Sequence, residues 1–371
     1  MTTKLMKAAR LHEVGGRFQI DQIPIPDVRP NDVLIKVAAT GMVHNLRNVI
    51  TTYPSQRPYL PLPRLPAIFG LDATGVVSAV GSLVKSGISV GDRVYVNPGL
   101  SCGSCEACRR GDPTNCPNYT FMGYFGFGPK SQDQFEAYPY GGFGEYLTCP
   151  VTNLVKLPDT LSFEHASRFG YLGTSYAALK KARFAPGQTL LVNGGTGTLG
   201  VGTVLLALAM GAARIFATGR DVQRLKKLQA LDLHRIQLLP LGEGAVAPRV
   251  LAQTADLGVD VMIDALAPGA PISSVEDAFQ ALRFGGIAVN VGGVADKFSI
   301  QFNRLMHSQR VLMGSRWFST SEAQDMANMT GAGTLKLDAF ENLVYPLERI
   351  NDALHDVDSR DGGFTNVVIS P

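Results

Sequence analysis

Apolar residues in the second half of the chain fall into short runs, and the stretches between several of these runs are helix-like. The short apolar runs predict buried strands, and the intervening stretches predict helices. Strand and helix alternating in this way indicate a parallel, doubly wound sheet. The predicted strands cover residues 189–193, 214–218, 236–239, 259–264, 287–291 and 311–313, and the predicted helices include 201–210, 222–230 and 275–282.

The first part of the chain is patterned differently, because Gly and Pro interrupt short extended segments throughout. Residues 7–25 predict two extended segments around the turn at Gly15-Gly16, and further strands are predicted at 32–37, 73–81 and 90–96. Short strands with frequent turn residues favour a compact β domain of the barrel type.

The domain boundaries are inferred from two further segments, a helical one at residues 163–182 and the final section of the chain. The pattern is helical from Phe163 to Ala182, with an interruption expected at Gly170–Gly173. The final section predicts a helix near Ile350–Val357 and a last strand at Asn366–Ile369, and we expect it to return to the first domain. The predicted domains are residues 1–161 together with 314–371, and residues 162–313 between them.

A glycine-rich turn joins the strand at 189–193 to the helix at 201–210. Gly195, Gly197 and Gly200 form the pattern G-x-G-x-x-G, which in this context predicts a dinucleotide-binding loop. Gly195 permits the turn, Gly197 lets a pyrophosphate approach the backbone, and Gly200 lets helix and strand pack closely. The helix N-terminus then presents open N–H groups to the phosphates. The remaining loop residues are Thr196, Thr198 and Leu199, and the alternative is an ordinary strand-to-helix turn.

Composition and charge narrow the class of protein. The chain has 371 residues, enough for two domains, with 45% hydrophobic and 18% charged residues. A net charge of +3 without a long basic run gives no support to nucleic-acid binding. The sequence contains neither an apolar run of the ~18 residues that a membrane span needs nor a secretory signal pattern. We therefore expect no membrane association and a cytoplasmic location.

Four cysteines lie close together in the first domain. Cys102, Cys105, Cys108 and Cys116 follow the spacing C-x2-C-x2-C-x7-C. In a chain without a signal peptide, such a group favours a metal over disulfides. The spacing suits one Zn²⁺ held by four thiolates with no open position, which is the pattern of a structural site. The alternatives are an iron–sulfur cluster or two disulfides. Cys149 stands apart from this group.

An aromatic-rich segment follows the cysteines. Its side chains either pack in the core and loops or, in part, line an apolar substrate cleft. The aromatic residues are Tyr119, Phe121, Tyr124, Phe125, Phe127, Phe135, Tyr138, Tyr140, Phe143 and Tyr146.

Taken together, these motifs resemble the zinc-type alcohol dehydrogenases of the medium-chain dehydrogenase/reductase superfamily. The likeness extends over nearly the whole chain and rests on the cysteine lobe, the glycine loop, Gly70–Gly75, Gly142–Tyr146 and the Gly285-Gly286 turn. It implies a GroES-like catalytic domain of partial β-barrel form, with a Rossmann domain inserted before its C-terminal part. It also implies hydride transfer between a nicotinamide and a carbonyl, alcohol or activated alkene, and a homodimer or homotetramer.

The sequence departs from the family at the catalytic zinc. The family binds this metal with a Cys in Gly-x-Cys, a His in Gly-His-Glu, and a Cys or Asp near the middle of the chain. The first two positions are Val43 and Leu71 here, and the third falls at or near Tyr171. Valine and leucine have no lone pair, and an un-ionised tyrosine is a poor zinc ligand. Asp72 is the one acidic position that survives.

The proton-relay and phosphate positions also differ. The relay positions of the family correspond to Asn45 and Asn48. His44 matches a position that contacts the cofactor pyrophosphate, and Asn366 lies where many relatives carry a phosphate-binding Arg. Tyr171 is the leading candidate for a proton donor, with Asn45 and Asn48 as weaker ones; its alternative role is packing beside the nicotinamide.

The residues after the second predicted strand favour NADP(H) over NAD(H). An NAD site usually places Asp or Glu at the end of this strand, ~20 residues beyond the loop, to bind the ribose hydroxyls. Here Thr218 is followed by Gly219, which leaves room for a 2′-phosphate, and by Arg220, which offers a bidentate fork. Arg224 can assist from the next helix. The alternative is that Arg220 is solvated and Asp221 binds the ribose.

These residues predict a nicotinamide-dependent oxidoreductase with one structural zinc and no catalytic zinc, acting on a small apolar substrate. Without the metal, a carbonyl oxygen loses its Lewis acid. We therefore favour reduction of an activated C=C bond or an iminium. Metal-free carbonyl reduction or alcohol oxidation is the second hypothesis, and a pseudoenzyme that binds NADP(H) as a sensor is the third.

Overall fold

The computed structural model describes residues 4–85 and 87–371. The chain begins with a β-rich region, which short helices and 3-10 turns at Pro113–Asn115 and Val151–Asn153 interrupt. Its strands are β1 (Leu5–Leu11), β2 (Phe18–Pro24), β3 (Asp32–Gly41), β4 (Ala67–Ile68), β5 (Asp72–Val80), β6 (Arg93–Val96), β7 (Gly99–Leu100), β8 (Thr120–Phe121), β9 (Tyr146–Pro150) and β10 (Leu154–Lys156). Its helices are α1 (Leu46–Thr51), α2 (Tyr53–Gln56), α3 (Glu106–Arg109) and α4 (Ser131–Ala137).

Strand β3 organises this region, because it pairs antiparallel with both β5 and β9. Its residues are almost all buried, as expected of a strand that is covered on both faces. The strand runs directly into Val43, His44 and Asn45, so the sheet fixes the position of these residues.

A six-stranded parallel sheet follows. Its elements are α5 (Phe163–Ala166), α6 (Phe169–Lys181), β11 (Thr189–Asn193), α7 (Thr198–Ala209), β12 (Arg214–Gly219), α8 (Val222–Gln229), β13 (Ile236–Pro240), α9 (Val246–Ala252), β14 (Val259–Asp264), α10 (Ile272–Gln280), β15 (Leu282–Asn290), α11 (Phe302–Ser308) and β16 (Val311–Gly314). The strand order is β13-β12-β11-β14-β15-β16. This is the doubly wound Rossmann order, whose topological switch point lies between β11 and β14. The predicted fold class is confirmed.

The predicted interruption of the helix at Gly170–Gly173 is wrong, because α6 continues through both glycines. Both glycines allow close packing against the helix. A Cβ at Gly170 would lie 2.3 Å from Oδ1 of Asp72, and one at Gly173 would lie 2.4 Å from the ring of Phe318. Helix propensity therefore gives way here to tertiary packing.

The last section rejoins the first sheet, with 3-10 turns at Leu347–Arg349 and Val357–Ser359. Its main elements are α12 (Thr320–Gly331), β17 (Glu341–Pro346), α13 (Ile350–Asp356) and β18 (Thr365–Ser370). Strand β18 pairs antiparallel with the end of β3 and parallel with β17, so the two ends of the chain share one sheet. No helix within residues 4–85 and 87–371 combines the length and the apolar character needed to cross a bilayer.

Candidate functional site

A cavity of about 350 Å³ lies where the β-rich region meets the C-terminal ends of the parallel strands. Its size and mainly apolar walls are typical of a small-molecule site. Its walls come from eight parts of the chain: the segment after β3, α2, the start of β5, the aromatic segment, α6, α7, the turn after β15 and the turn after β16. The lining residues used below are Val43, His44, Asn45, Tyr53, Leu71, Asp72, Phe121, Tyr124, Phe125, Phe127, Gly170, Tyr171, Arg316 and Trp317.

Three of these residues, Val43, Leu71 and Gly170, lie at or next to the positions that the resemblance assigns to the catalytic metal ligands. Val43 and Leu71 line the cavity and are almost fully buried. The residue that faces Asp72 is Gly170 and not Tyr171, because a Cβ at Gly170 would meet both carboxylate oxygens of Asp72. Gly170 adjoins Tyr171, so this contact agrees with a third ligand position predicted at or near Tyr171, and Gly170 carries no side chain.

Asp72 is buried beside this position. Its Oδ1 accepts a hydrogen bond of 2.8 Å from the hydroxyl of Tyr95, which is also fully buried. Burial raises the pKa of Asp72 from 3.8 to about 7, although the bond from Tyr95 and the charge of Arg168 act in the opposite direction. A carboxyl group that exchanges its proton near neutral pH therefore lies at the inner wall of the cavity.

Tyr171 and His44 form a second pair of polar side chains that lines the cavity. The Tyr171 oxygen lies 3.0 Å from the backbone N–H of His44, which donates to it, and 2.5 Å from Nδ1 of the same residue. The two rings are stacked, with centroids 5.5 Å apart. Burial, together with the charges of Arg360 and Arg168, lowers the pKa of His44 to about 4, so its ring is neutral at pH 7. Burial raises the pKa of Tyr171 to about 12, so its phenol keeps its proton.

The two asparagines predicted as relay residues lie in different environments. The side chain of Asn45 lines the cavity, where its Oδ1 accepts from the hydroxyl of Tyr124 and its Nδ2 lies 3.4 Å from the hydroxyl of Tyr53. Asn48 lies on the exposed side of α1, while its neighbours Val49 and Ile50 turn inward. The prediction that Asn48 acts in the site is corrected, because helical geometry points it towards solvent.

The aromatic segment serves both of the roles considered for it. Phe121, Tyr124, Phe125 and Phe127 line the cavity, together with Trp317 from the turn after β16. Others pack away from the cavity; Phe143, for example, contacts Phe18 edge to face. The wall that a substrate meets is therefore aromatic.

The four predicted metal ligands come together. The sulfur atoms of Cys102, Cys105, Cys108 and Cys116 all lie within 4.8 Å of one another, and neighbouring pairs are 3.5 and 3.6 Å apart. Four thiolates around Zn²⁺ at ~2.3 Å would place sulfurs ~3.8 Å apart, so the geometry fits. Backbone N–H groups of Cys105 and Asn118 point at two of the sulfurs. Within residues 4–85 and 87–371, this is the one group of three or more His, Cys, Asp or Glu side chains with metal-binding spacing.

The glycine loop has the features that a dinucleotide needs. A Cβ at Gly200 would lie 2.2 Å from the carbonyl oxygen of Gly194, so only glycine allows this approach. Gly197 precedes α7 and supplies no side-chain cap, so N–H groups of the first turn stay available. The buried hydroxyl of Thr198 has no hydrogen-bond partner within the described chain. These open donors fit a bound diphosphate.

A buried polar chain holds this loop in place. The backbone N–H of Gly194 donates to Oγ1 of Thr218, and Thr218 donates to Oδ1 of Asn193. Asn193 in turn donates to Oδ1 of Asp264. Three neighbouring strands are thus cross-linked at their C-terminal ends, which rigidifies the turn. The side chain of Thr218 therefore holds the glycine loop in place by hydrogen bonds to Gly194 and Asn193.

The residues after β12 bear on two alternatives that the sequence left open, a 2′-phosphate bound by Arg220 and a ribose bound by Asp221. Asp221 caps α8, because its Oδ1 accepts from the backbone N–H groups of Gln223 and Arg224. Arg220 is exposed, and its guanidinium has no ion pair or hydrogen bond to any described residue. Arg224 is engaged by Asp361, with Nε and Oδ1 2.9 Å apart. Arg220 is thus the cation here that is available to a ligand.

Residues 360–363 form a strap across the glycine loop. The backbone N–H of Gly363 donates to the carbonyl oxygen of Thr196 over 2.9 Å. A Cβ at position 363 would lie 2.2 Å from the carbonyl oxygen of Gly197, which is why the strap ends in glycine. Asp361 also pairs with Lys227, at 3.0 Å, so the strap is joined to α8 as well as to the loop.

A buried arginine fixes the strap from behind. Arg168 is 3% exposed, and its guanidinium donates to the carbonyl oxygens of Gly363 and Thr365. Sequence reasoning missed this residue, because no local pattern marks it. Asn366, predicted to contact phosphate, is buried, and its Nδ2 donates to the Glu164 carbonyl and to Asn342. That prediction is corrected, because those bonds occupy its donors.

Comparison with known protein families matches two models to this chain. The first, described as the alcohol dehydrogenase GroES-like domain, matches residues 29–159. The second, described as zinc-binding dehydrogenase, matches residues 198–331. Together they cover β3 to β10 of the β-rich region, five of the six strands of the parallel sheet, and α12.

Individual relatives give the same result. The chain is 31% identical to the sorbitol dehydrogenase of Bacillus subtilis (strain 168) over 292 residues, which is 77% of this chain and 75% of that protein. It is 29% identical to an alcohol dehydrogenase of Geobacillus stearothermophilus over 352 residues, 94% of each chain. The crystal structure of an NAD-dependent alcohol dehydrogenase superposes with a TM-score of 0.80 at 26% identity, covering 99% of this chain and 100% of that one.

Proposed function

The chain belongs to the zinc-type alcohol dehydrogenases of the medium-chain dehydrogenase/reductase superfamily, and we propose that it is an NADP(H)-dependent reductase whose only zinc is structural. The family makes it an NAD(P)H-dependent oxidoreductase. The choice of cofactor, the single zinc and the substrate are our proposal. The observation that carries it is the set Val43, Leu71 and Gly170, which supplies no metal ligand where the family binds its catalytic zinc.

We propose that the substrate is an apolar molecule with an activated C=C bond or an iminium group. Zinc would polarise a carbonyl oxygen in relatives that keep the metal, and this cavity offers Asp72 alone as an ionisable ligand at that point. In a conjugated alkene, the negative charge that hydride addition creates is delocalised over the conjugated group. In an iminium ion, the added hydride neutralises the positive charge that is already present. The aromatic wall formed by Phe121, Phe125 and Trp317 suits a flat, unsaturated group.

The reaction divides between the cofactor and the protein. The bound nicotinamide supplies the hydride, and the chain's own residues orient the substrate and provide a proton. Val43 and Leu71 exclude water from the reacting end of the cavity because their side chains are apolar and buried. Asn45, held by Tyr124, is placed to orient a polar group of the substrate.

Tyr171 is the proposed proton donor when a C=C bond is reduced. In the tautomer of His44 that carries its proton on Nδ1, the Tyr171 oxygen accepts from both Nδ1 and the backbone N–H. The phenol proton is then free to transfer to the substrate α-carbon after hydride has reached the β-carbon. The phenolate recovers a proton from Nδ1 of His44 while Nε2 takes one from solvent. Loss of the Nε2 proton to solvent and reprotonation of Nδ1 then restore the starting tautomer, so each turnover consumes one solvent proton.

A second candidate function is metal-free carbonyl reduction. The placement of a Tyr171 hydroxyl in the cavity favours it, because a phenol can donate a hydrogen bond to a carbonyl oxygen. A single enal distinguishes the two reactions. Reduction of trans-2-heptenal at C=C gives heptanal, whereas reduction at C=O gives the allylic alcohol. We expect heptanal as the main product, and rapid reduction of a cyclic iminium ion.

The product analysis also tests the proposal as a whole. Allylic alcohol as the main product would replace the first function by the second. Tight NADPH binding without turnover of enals, ketones or iminium ions would instead favour a sensor that binds the cofactor without catalysis.

The preference for NADP(H) rests on Arg220, Gly219 and Asp221. Arg220 has no protein partner within the described residues, whereas the carboxylate of Asp221 is occupied by the cap of α8. We expect NADPH to bind more tightly than NADH, and Arg220→Ala to weaken NADPH by about tenfold while leaving NADH unchanged. Fluorescence titration measures both dissociation constants. Arg304→Ala, which removes an exposed arginine from the remote α11, is the matched control. Equal affinities in the wild type would contradict the proposal.

Oligomeric state and location also remain proposals. Strand β16 is an edge of the six-stranded sheet, and its Val311 and Leu312 are exposed. An exposed apolar edge strand favours pairing with another copy of the chain. We therefore propose a dimer through β16, which Leu312→Lys should convert to monomer in light scattering. The cytoplasmic location and the absence of nucleic-acid or membrane partners stay predictions.

A further inference from the structure

Arg316 lies where the apolar cavity opens into a second hollow. It follows β16 and lines both the cavity of about 350 Å³ and a polar hollow of about 550 Å³ beside it. Its guanidinium carbon lies 4.3 Å from the ring centre of Phe127 and 5.3 Å from that of Tyr119. The stacking on aromatic faces positions the cation without using its N–H groups.

No described residue accepts a hydrogen bond or forms an ion pair with the side chain of Arg316. Other arginines of the same region are satisfied: Arg310 donates to the carbonyl oxygens of Gln280 and Leu282. Asp112 acts on Arg316 electrostatically but lies beyond ion-pair distance. The guanidinium fork is therefore both positioned and available, which is the condition for binding a planar anionic group.

The polar hollow beside Arg316 favours an anion. Lys181 also lines it and has no ion-pair partner within the described chain, and its lining contains neither Asp nor Glu. The Oγ atom of Ser315 is buried in the same lining without a hydrogen-bond partner. The one carboxylate that lines the adjoining cavity is Asp72, which is buried beside Gly170. Two cations and an open hydroxyl thus converge on one space.

We propose that Arg316 and Lys181 bind an anionic oxygen group, a carboxylate or a phosphate, carried by the substrate at the end remote from the reduced bond. This specifies the substrate class and rests on the proposed function, because the unsaturated part of the same molecule fills the aromatic cavity. Ser315 donates a further hydrogen bond to the anion. The substrate is then an amphipathic acid with an unsaturated apolar part.

A different role for Arg316 predicts different measurements. Cys116 also acts electrostatically on Arg316, so the arginine could serve only to offset the charge of the zinc thiolates. In that case its removal should weaken zinc retention and leave substrate preference unchanged. If it binds substrate, zinc content and thermal midpoint should be unaffected.

Turnover of a matched pair of enals separates these roles. The pair is trans-2-heptenal and 7-oxohept-5-enoate, which differ at the remote end by one carboxylate. We expect kcat/KM of the wild type to be about fivefold higher for 7-oxohept-5-enoate than for heptenal, which is the size of effect that an exposed ion pair gives. The difference should shrink at high salt, because salt screens the ion pair. Arg316→Gln should abolish this preference by lowering kcat/KM for the carboxylate substrate towards the value for heptenal, and the ratio of the two kcat/KM values is the readout. Arg304→Gln removes the same charge far from the cavity and should keep the preference.

A binding measurement keeps the test independent of turnover. Octanoate, octyl phosphate and octanamide are titrated into the protein with NADPH, and the wild type should bind an anion at least about fivefold more tightly than the amide. The tighter of the two anions identifies the natural group. Arg316-dependent binding without enal turnover supports the subsite while the proposed reaction fails. Reduction of both enals with equal kcat/KM, or an unaltered preference in Arg316→Gln, overturns the subsite and leaves the reaction standing.

Discussion

The cysteine lobe and the apolar cavity differ most in what holds their side chains in place. In the lobe, the short helix α3 and a 3-10 turn contain no buried residue, and three of the four cysteines are half-buried. In the cavity, Val43 and Leu71 belong to the main hydrophobic core, and Asp72, Asn45 and Tyr171 bond to other side chains.

This difference teaches where a metal site can be lost. A segment without a core of its own depends on the metal for its fold, because binding energy is folding energy there. A site inside a dense core can exchange ligands for apolar side chains, since surrounding packing already fixes the backbone. In this chain the four cysteines of the lobe lie together, whereas beside Val43, Leu71 and Gly170 the cavity has Asp72 as its one carboxylate.

The largest expected effect comes from breaking the lobe. Cys105→Ser should release zinc and lower the free energy of unfolding by several kcal/mol, because the remaining thiolates no longer close the coordination shell. Metal analysis should fall from about one zinc per chain to none, with a lower thermal midpoint. Cys149→Ala removes a buried thiol from β9 and should keep the zinc. A Cys105→Ser protein with its metal and midpoint intact would show that the lobe is not a zinc site.

Asp72 offers the next largest effect, in the pH dependence of stability. Its pKa is raised from 3.8 to about 7 in the folded state, so between these values the folded chain binds more protons than the unfolded chain. The free energy of unfolding should therefore fall as pH rises from about 4 to 7, by up to roughly 4 kcal/mol from this group.

Asp72→Asn should remove this pH dependence of the free energy of unfolding, since the amide does not titrate. The substitution can also change the stability by the same amount at every pH, which does not affect the comparison. Denaturant titrations at pH 5 and pH 8 measure the change, and Asp338→Asn provides an exposed control that leaves the slope in place. If Asp72→Asn and the wild type lose the same stability between these pH values, the Asp72 carboxyl is already ionised at pH 5.

The smallest of the three effects is a change in turnover that differs between enals and iminium ions. Tyr171→Phe should slow enal reduction by about 100-fold, because the proton donor is lost, and leave iminium reduction unchanged, because hydride alone completes that reaction. Tyr176→Phe on the same helix is the control, since its hydroxyl contacts Asp325 instead of lining the cavity. Unchanged enal turnover in Tyr171→Phe would remove Tyr171 as the donor and leave the metal-free cavity unaffected.

Local motifs account for what the sequence could predict. The four cysteines and the glycine loop lie within short segments, so spacing alone indicates their assembly. The alternation of strands and helices likewise predicts the parallel sheet. The cap formed by Asp221 was not predicted, although the signal was local, because Asp before a helix commonly accepts from its first N–H groups.

The remaining features depend on contacts between distant segments. Gly170 faces Asp72 across the fold, so the unbroken helix could not be inferred from propensity. Asn366 was assigned to phosphate without knowledge that Glu164 and Asn342 occupy its donors. Arg168 carried no local signal, because its partners lie near the other end of the chain.

The strap at residues 360–363 adds a non-covalent connection between the two domains to the two places where the chain crosses between them, from β10 to α5 and after β16. If opening of the cleft between the domains parts Gly363 from Thr196, it also uncovers the glycine loop, and cofactor exchange and loosening of β18 become one event in time. Because the ion pairs of Asp361 with Arg224 and Lys227 are partly exposed, salt weakens them and should speed cofactor release.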